Sequence, residues 1–231
     1  MDANQNKTLA HKTDYDPAAF VIESVNDIEK EKRDAARWWA EYQSTYFLDL
    51  QLQTRIIIST IKKYPNIKSV FEFGCHAGRN LYYIKQEFPD AEVYGIDVNQ
   101  EAIEIGKNKF ALSIEVGNEL SLLLLQDNSY DVAFTVSVID HLLEPEKICK
   151  ELTRISKRHI VLLEPFFERE GKIVKMIKNN LVEDFFPFSY SWDYEKIFSN
   201  LHVKAILNTL APLEGGFAGP YYRLYIFEKI T

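Results

Sequence analysis

The chain holds little of what marks a secreted, metal-built or membrane-spanning protein. Its 231 residues contain two cysteines, Cys75 in a glycine turn and Cys149 in a helical run; that is no disulfide framework, and a reducing compartment is expected. No apolar run approaches the about 20 residues of a membrane span, and the polar opening Met1-Asp-Ala-Asn-Gln has no signal-peptide core. A soluble, cytoplasmic protein without a membrane partner is therefore expected. Excess positive charge is missing too. With 27 basic and 34 acidic residues the net charge is -7, which argues against a nucleic-acid partner, because such a partner needs a basic footprint to displace counterions. The five histidines, His11, His76, His141, His159 and His202, show no metal-ligand spacing, so no metal is expected. No nucleophile triad and no internal repeat is legible. Nine glycines, eight prolines and 46% apolar residues suit one well-filled core with decorations.

What is present is a regular alternation of elements. Residues 1–26 read as a polar, mobile tail. Residues 27–65 read as a helical cap, in which Trp38, Tyr42, Tyr46, Leu50, Ile57 and Ile61 recur at three- and four-residue steps, as two helices with an unplaced break. The main domain spans 66–231. There, apolar strand runs at 69–73, 93–96, 113–116, 130–136 and 159–163 alternate with helical patterns at 79–88, 99–109, 120–126 and 145–156. This rhythm predicts a parallel sheet covered on both faces. It changes in an aromatic insertion at about 166–198, read as a helix over 172–181 and a loop over 185–192. A helix at 193–200 and two antiparallel strands, 203–210 and 221–228, close the chain.

The most informative stretch is Ser69-Val-Phe-Glu-Phe-Gly-Cys-His-Ala-Gly-Arg-Asn80: a strand ending in an acid, a glycine turn, then a helix start. A second acid, Asp97, closes the strand Glu92-Val-Tyr-Gly-Ile-Asp97 at the distance where a βαβ nucleotide-binding unit places its ribose ligand. An ionised carboxylate has two oxygens for two ribose hydroxyls; the competing role for Asp97 is a helix cap or solvated loop acid. A dinucleotide fingerprint needs glycine at the places held here by Gly74, His76 and Arg79. Two of the three fail, which disfavours a nicotinamide-dependent oxidoreductase. Gly74 and Gly78 still permit a tight turn and close helix packing, enough for an adenosine cofactor without phosphates.

On these residues the chain resembles the class I S-adenosylmethionine-dependent methyltransferases, whose first motif reads acid-x-Gly-x-Gly-x-Gly. Glu72, Gly74 and Gly78 match; His76 stands in a glycine place, and His is one of the few other residues enriched at positive φ. The resemblance covers about residues 67–228 and is strongest over 70–165. It implies an α/β, Rossmann-like, seven-stranded, mostly parallel sheet with helices on both faces and an antiparallel last strand. It implies S-adenosyl-L-methionine as cofactor, held by Glu72, Gly74, Cys75, His76, Gly78, Asp97, Val98, Asn118, Glu119 and Ser137. Glu72 would bond the glycine-turn backbone or, through water, the cofactor ammonium. Asn118 would accept from the adenine amino group, or serve only as a turn residue after Gly117.

Methyl transfer from a sulfonium is an in-line displacement, so alignment supplies most of the rate and a base is needed only if the acceptor loses a proton. In Ser137-Val-Ile-Asp-His-Leu-Leu143, His141 stands where many family members carry a histidine and is the candidate base; packing is its alternative role. Asp140 could orient His141, bind a substrate amine or cap the next helix. Glu164 could line the acceptor pocket or bond exposed backbone. Tyr42, Tyr46 and Trp192 represent two aromatic pieces that could enclose a small-molecule acceptor such as a sugar or natural-product intermediate, or belong to ordinary core. Arg37, Arg55, Arg79 and Arg223 could recognise an anionic group on it or form surface ion pairs. A homodimer is one option for assembly. The alternative function is a non-catalytic cofactor-binding subunit that regulates a partner.

Overall fold

The computed structural model describes residues 19–42, 48–178, 181–211 and 221–230. Its centre is a seven-stranded sheet in the order β10-β11-β6-β5-β2-β3-β4, formed by β2 (Ser69–Phe73), β3 (Glu92–Asp97), β4 (Ile114–Val116), β5 (Tyr130–Val136), β6 (Ser156–Pro165), β10 (Val203–Leu210) and β11 (Tyr222–Lys229). β2 pairs in parallel with β3 on one side and β5 on the other. Only β11 runs against its neighbours, antiparallel to both β6 and β10. This is the expected sheet, and the chain's direction across it reverses between β2 and β5. Ligands bind in the crevice outside the strand ends at such a reversal.

All five residues of β2 are buried, because helices cover both of its faces. On one face lie α2 (Leu52–Ile61), α3 (Arg79–Glu87) and α4 (Gln100–Phe110), through Ile57, Ile61, Leu81, Ile84 and Ile103. On the other lie α5 (Pro145–Ile155) and α6 (Tyr194–Ser199), through Ile148, Leu152, Tyr194 and Phe198. Local chemistry sets their starts. Asp193 caps α6 by accepting from Lys196 N at 3.1 Å, Asn99 caps α4 and Pro145 opens α5, as side-chain oxygens and proline do at first turns. No helix among the described residues is long and apolar enough to cross a membrane.

Three expectations need correction. Residues 172–181 do not form a helix: β7 (Gly171–Lys178) and β8 (Leu181–Asp184) make an antiparallel hairpin. Ile173, Met176 and Ile177 fit a helical stripe, yet partner strands on both sides of β7 favour extended backbone. One of those partners is β1 (Phe20–Glu23), paired antiparallel with β7. So residues 20–23 are not part of a tail; Phe20 is 3% exposed and packs with Phe167, Ile173, Phe185 and Tyr221. β9 (Tyr190–Ser191) completes this second, four-stranded sheet. Finally, the helical cap divides. α1 (Ile28–Glu41) stands over the crevice, started by Asp27 accepting from Lys30 N at 3.0 Å, whereas α2 belongs to the core layer.

Candidate active site

A cavity of about 720 Å³ opens at the reversal point, within the about 300–1,000 Å³ usual for ligand sites. Its wall on the β2, β3 and β4 side includes Glu72, Gly74, Cys75, His76, Asp97, Val98, Asn118 and Glu119. On the β5 side Ser137, Asp140 and His141 line it, and α1 and the insertion add Trp39, Tyr42 and Phe186. Sequence segments of mixed polarity that lie far apart in the chain thus meet in one crevice because the sheet brings its strand ends together.

The turn after β2 is built by positive φ angles. Gly74 and Gly78 lie at 74° and 75°, and His76 at 49°, the strained conformation that a histidine in a glycine place requires. A Cβ on Gly74 would sit 2.4 Å from Val138 Cγ2, so this turn reaches the turn after β5 only as glycine. Gly78 shapes the entry to α3, and among the cavity-lining residues its neighbours Ala77 and Arg79 take its place. The strained His76 backbone gains a charge-assisted bond: its N–H donates to Asp97 Oδ2 at 2.7 Å. Asn99 N donates to Asp97 Oδ1 at 2.9 Å. One donor on each oxygen fixes the carboxylate plane and leaves each oxygen able to accept again. Burial raises the Asp97 pKa, opposed by those two backbone donors.

Glu72 is 1% exposed. Its Oε1 accepts from Asn80 Nδ2 at 2.6 Å, while Oε2 has no hydrogen-bond partner, and burial pushes its pKa up to about 8. A buried carboxyl oxygen left without a partner is costly, and a ligand ammonium would satisfy it. Asn118 lines the cavity, and its Oδ1 accepts from Leu120 N at 3.0 Å to cap the short 3-10 turn Glu119–Leu124, the turn role expected of it.

On the β5 side the polar groups bind one another. Tyr222 OH donates to Ser137 Oγ at 2.6 Å, and Ser137 Oγ donates to Asp140 Oδ1 at 3.5 Å. His141 Nδ1 lies 3.0 Å from Phe188 O. A carbonyl can only accept, so Nδ1 carries the proton and Nε2 is the bare nitrogen; it stands 3.6 Å from Asp140 Oδ2. Burial lowers the His141 pKa to about 4 and raises that of Asp140 to about 7. The imidazole is therefore neutral at physiological pH, tilted against Trp39 with ring centroids 4.2 Å apart.

Two of the residues expected to touch the acceptor lie elsewhere. Glu164 is fully buried behind the wall, where it accepts from Thr135 Oγ1 at 2.6 Å and from Val138 N at 3.0 Å; it staples the turn that carries Ser137, Asp140 and His141. Trp192 stacks on Tyr190 and donates from Nε1 to Leu142 O at 3.0 Å, a packing role. Tyr46 lies outside the described residues. Of the arginines, Arg79 lines the cavity, Arg37 pairs with Asp34 and Arg223 donates to Asn208.

Sequence reasoning missed Asn80, Asn99 and Tyr222 as cavity residues. Asn80 and Asn99 sit at helix starts and read as ordinary first-turn polar residues. Tyr222 reaches Ser137 only through the pairing of β11 with β6, which sets Tyr222 opposite Pro165, and no local pattern signals that.

A family model described as a methyltransferase domain matches residues 71–162, the segment that builds β2 through β6. A curated relative, an uncharacterised 37.1 kDa protein in transposon TN4556 of Streptomyces fradiae, is 28% identical over 165 residues, 66% of this chain. This chain spans 44% of that relative's length. Among solved structures, a SAM-dependent methyltransferase from Aquifex aeolicus superposes with a TM-score of 0.53 at 20% identity, covering 89% of this chain and 99% of the other. The magnesium protoporphyrin IX methyltransferase of Synechocystis PCC 6803, solved with bound SAH, gives 0.57 at 15% identity over 86% and 94%. Sheet order, glycine turn, the acid at position 97 and the match over residues 71–162 agree: the chain has the fold of the class I S-adenosylmethionine-dependent methyltransferases.

Proposed function

We propose that the protein transfers the methyl group of S-adenosylmethionine to an oxygen or nitrogen of a small-molecule acceptor. The observation that carries this is Asp97, whose carboxylate is fixed by one backbone N–H on each oxygen at the wall of the large cavity. The cofactor supplies an electrophilic methyl carbon and leaves as a neutral thioether. Asp97 receives the two ribose hydroxyls, Glu72 Oε2 the ammonium, and Asn118 with Glu119 flank the adenine. Trp39, Tyr42 and Phe186 exclude water and hold the acceptor in line, where alignment supplies most of the rate.

A proton leaving the acceptor goes to the Asp140–His141 pair. An imidazole held near 4 is a weak base by itself, while a carboxyl near 7 matches neutral pH. The test combines calorimetry with S-adenosylhomocysteine and methyl transfer to a panel of hydroxyl and amine acceptors. Asp97→Ala is expected to weaken cofactor affinity about 100-fold, the loss of two hydrogen bonds to a charged group; unchanged affinity would reject the ribose assignment. Tight cofactor binding with no turnover on any acceptor would favour the regulatory subunit.

A further inference from the structure

Asn99 joins three parts of the site in a single residue. Its backbone N–H donates to Asp97 Oδ1 at 2.9 Å. Its Oδ1 accepts from Ala102 N at 2.9 Å and caps α4. Its Nδ2 donates to Tyr42 O at 2.8 Å and Trp39 O at 3.4 Å, across 57 and 60 positions of sequence. The last carbonyls of a helix are short of partners within it: at the end of α1 Trp39 O has only a long bond from Tyr42 N, at 3.4 Å, and the last turn contains no basic residue to meet them. The cofactor-side turn supplies that donor instead. Asn99 itself is 5% exposed, so water does not compete freely for these bonds.

We propose that Asn99 is a positioning residue that couples the nucleoside end of the cavity to its acceptor wall, so that cofactor binding orders Trp39 and Tyr42 before the acceptor enters. This rests on the cofactor assignment made above. A ligand bonded to Asp97 stiffens the 97–99 turn. The stiffened turn fixes the Asn99 amide, and the amide fixes the end of α1 that carries the two aromatics. Acceptor binding is then ordered, second after cofactor, because its wall is held most firmly in the cofactor complex.

Hydrogen exchange of the α1 amides, with and without saturating S-adenosylhomocysteine, tests this in the full-length protein. In the wild type, exchange over residues 35–42 is expected to slow about fivefold or more on binding. Asn99→Ser keeps a capping oxygen and the backbone bond to Asp97 but lacks the amide donor. It is expected to bind S-adenosylhomocysteine within about tenfold of wild type while losing that protection. Asn99→Asp, which also caps and places an acceptor against the two carbonyls, is the second variant and is expected to lose it as well. Binding without protection in the wild type, or full protection in both variants, would overturn the coupling alone. Failure of the wild type to bind S-adenosylhomocysteine would overturn the cofactor assignment and the coupling together.

Discussion

At the β2–β3 end of the crevice Asp97 is held by backbone N–H groups and keeps lone pairs in reserve; at the β5–β6 end Glu164 is consumed by Thr135, Val138 and Asp140. The first arrangement costs the chain little and presents an acceptor to a ligand. The second fixes a loop and presents nothing. Carboxyl groups at equivalent strand ends thus divide between facing the cavity and scaffolding a turn according to which donors reach them. Residue type alone does not separate the two uses.

The steepest way to break this contrast is Gly74→Ala, since Gly74 is where the two ends touch. A methyl at φ 74° meeting Val138 is expected to cost about 3 kcal/mol, from backbone strain plus overpacking, and to abolish cofactor binding. Chemical denaturation and calorimetry check it; a loss below about 1 kcal/mol would mean that the turns need not touch.

The next effect is on pH. Burial raises Glu72 and Glu164 to about 8 and Asp140 to about 7, so the folded protein keeps protons that the unfolded chain releases. Stability is then full below the unfolded carboxylate range and declines as pH rises towards 8. His141, lowered to about 4, acts oppositely, losing stability as pH falls from about 6.5 to about 4. Between pH 6.5 and 8 only the acids act, and the melting temperature is expected to fall. Glu164→Gln should flatten that fall while costing about 2 kcal/mol near pH 6, because an amide N–H₂ cannot accept from Val138 and Asp140 N–H. An unchanged slope would remove Glu164 from the account.

The smallest expected effect is Asn118→Ala. Loss of its cap should cost about 1 kcal/mol and weaken S-adenosylhomocysteine binding less than about tenfold, well short of Asp97→Ala. Equal losses in the two variants would show that the adenine end contributes as much as the ribose end.

The half of the site that sequence made legible is the half built locally. Glu72, Gly74, His76 and Asp97 follow one another through strand, turn and helix, and each position has one backbone demand that few residues meet. The half beside β5 is assembled by pairing over long distances: Tyr222 meets Ser137 across 85 positions, and His141 meets the Phe188 carbonyl across 47. Glu164 looked equivalent to Asp97 in sequence, because both end a strand, and its burial is decided by β11 lying alongside. The main sheet was legible for the same reason as the motif, since each parallel strand is followed by its own helix. The second sheet was not: Ile173, Met176 and Ile177 follow a helical spacing, and β1, whose pairing holds the segment extended, is contributed from the other end of the chain.

That pairing of Phe20 with Met176 has a consequence for biogenesis. Closing so long a loop is entropically slow, and during synthesis β1 must wait until nearly the whole parallel core has emerged. α1 follows β1 in sequence, and its Glu31 is bound by Tyr190 and Lys172, both encoded late. The β2–β4 side of the crevice can thus take shape on a nascent chain whose roof has yet to be laid, because the roof has nothing to dock on until β7 and Tyr190 have emerged.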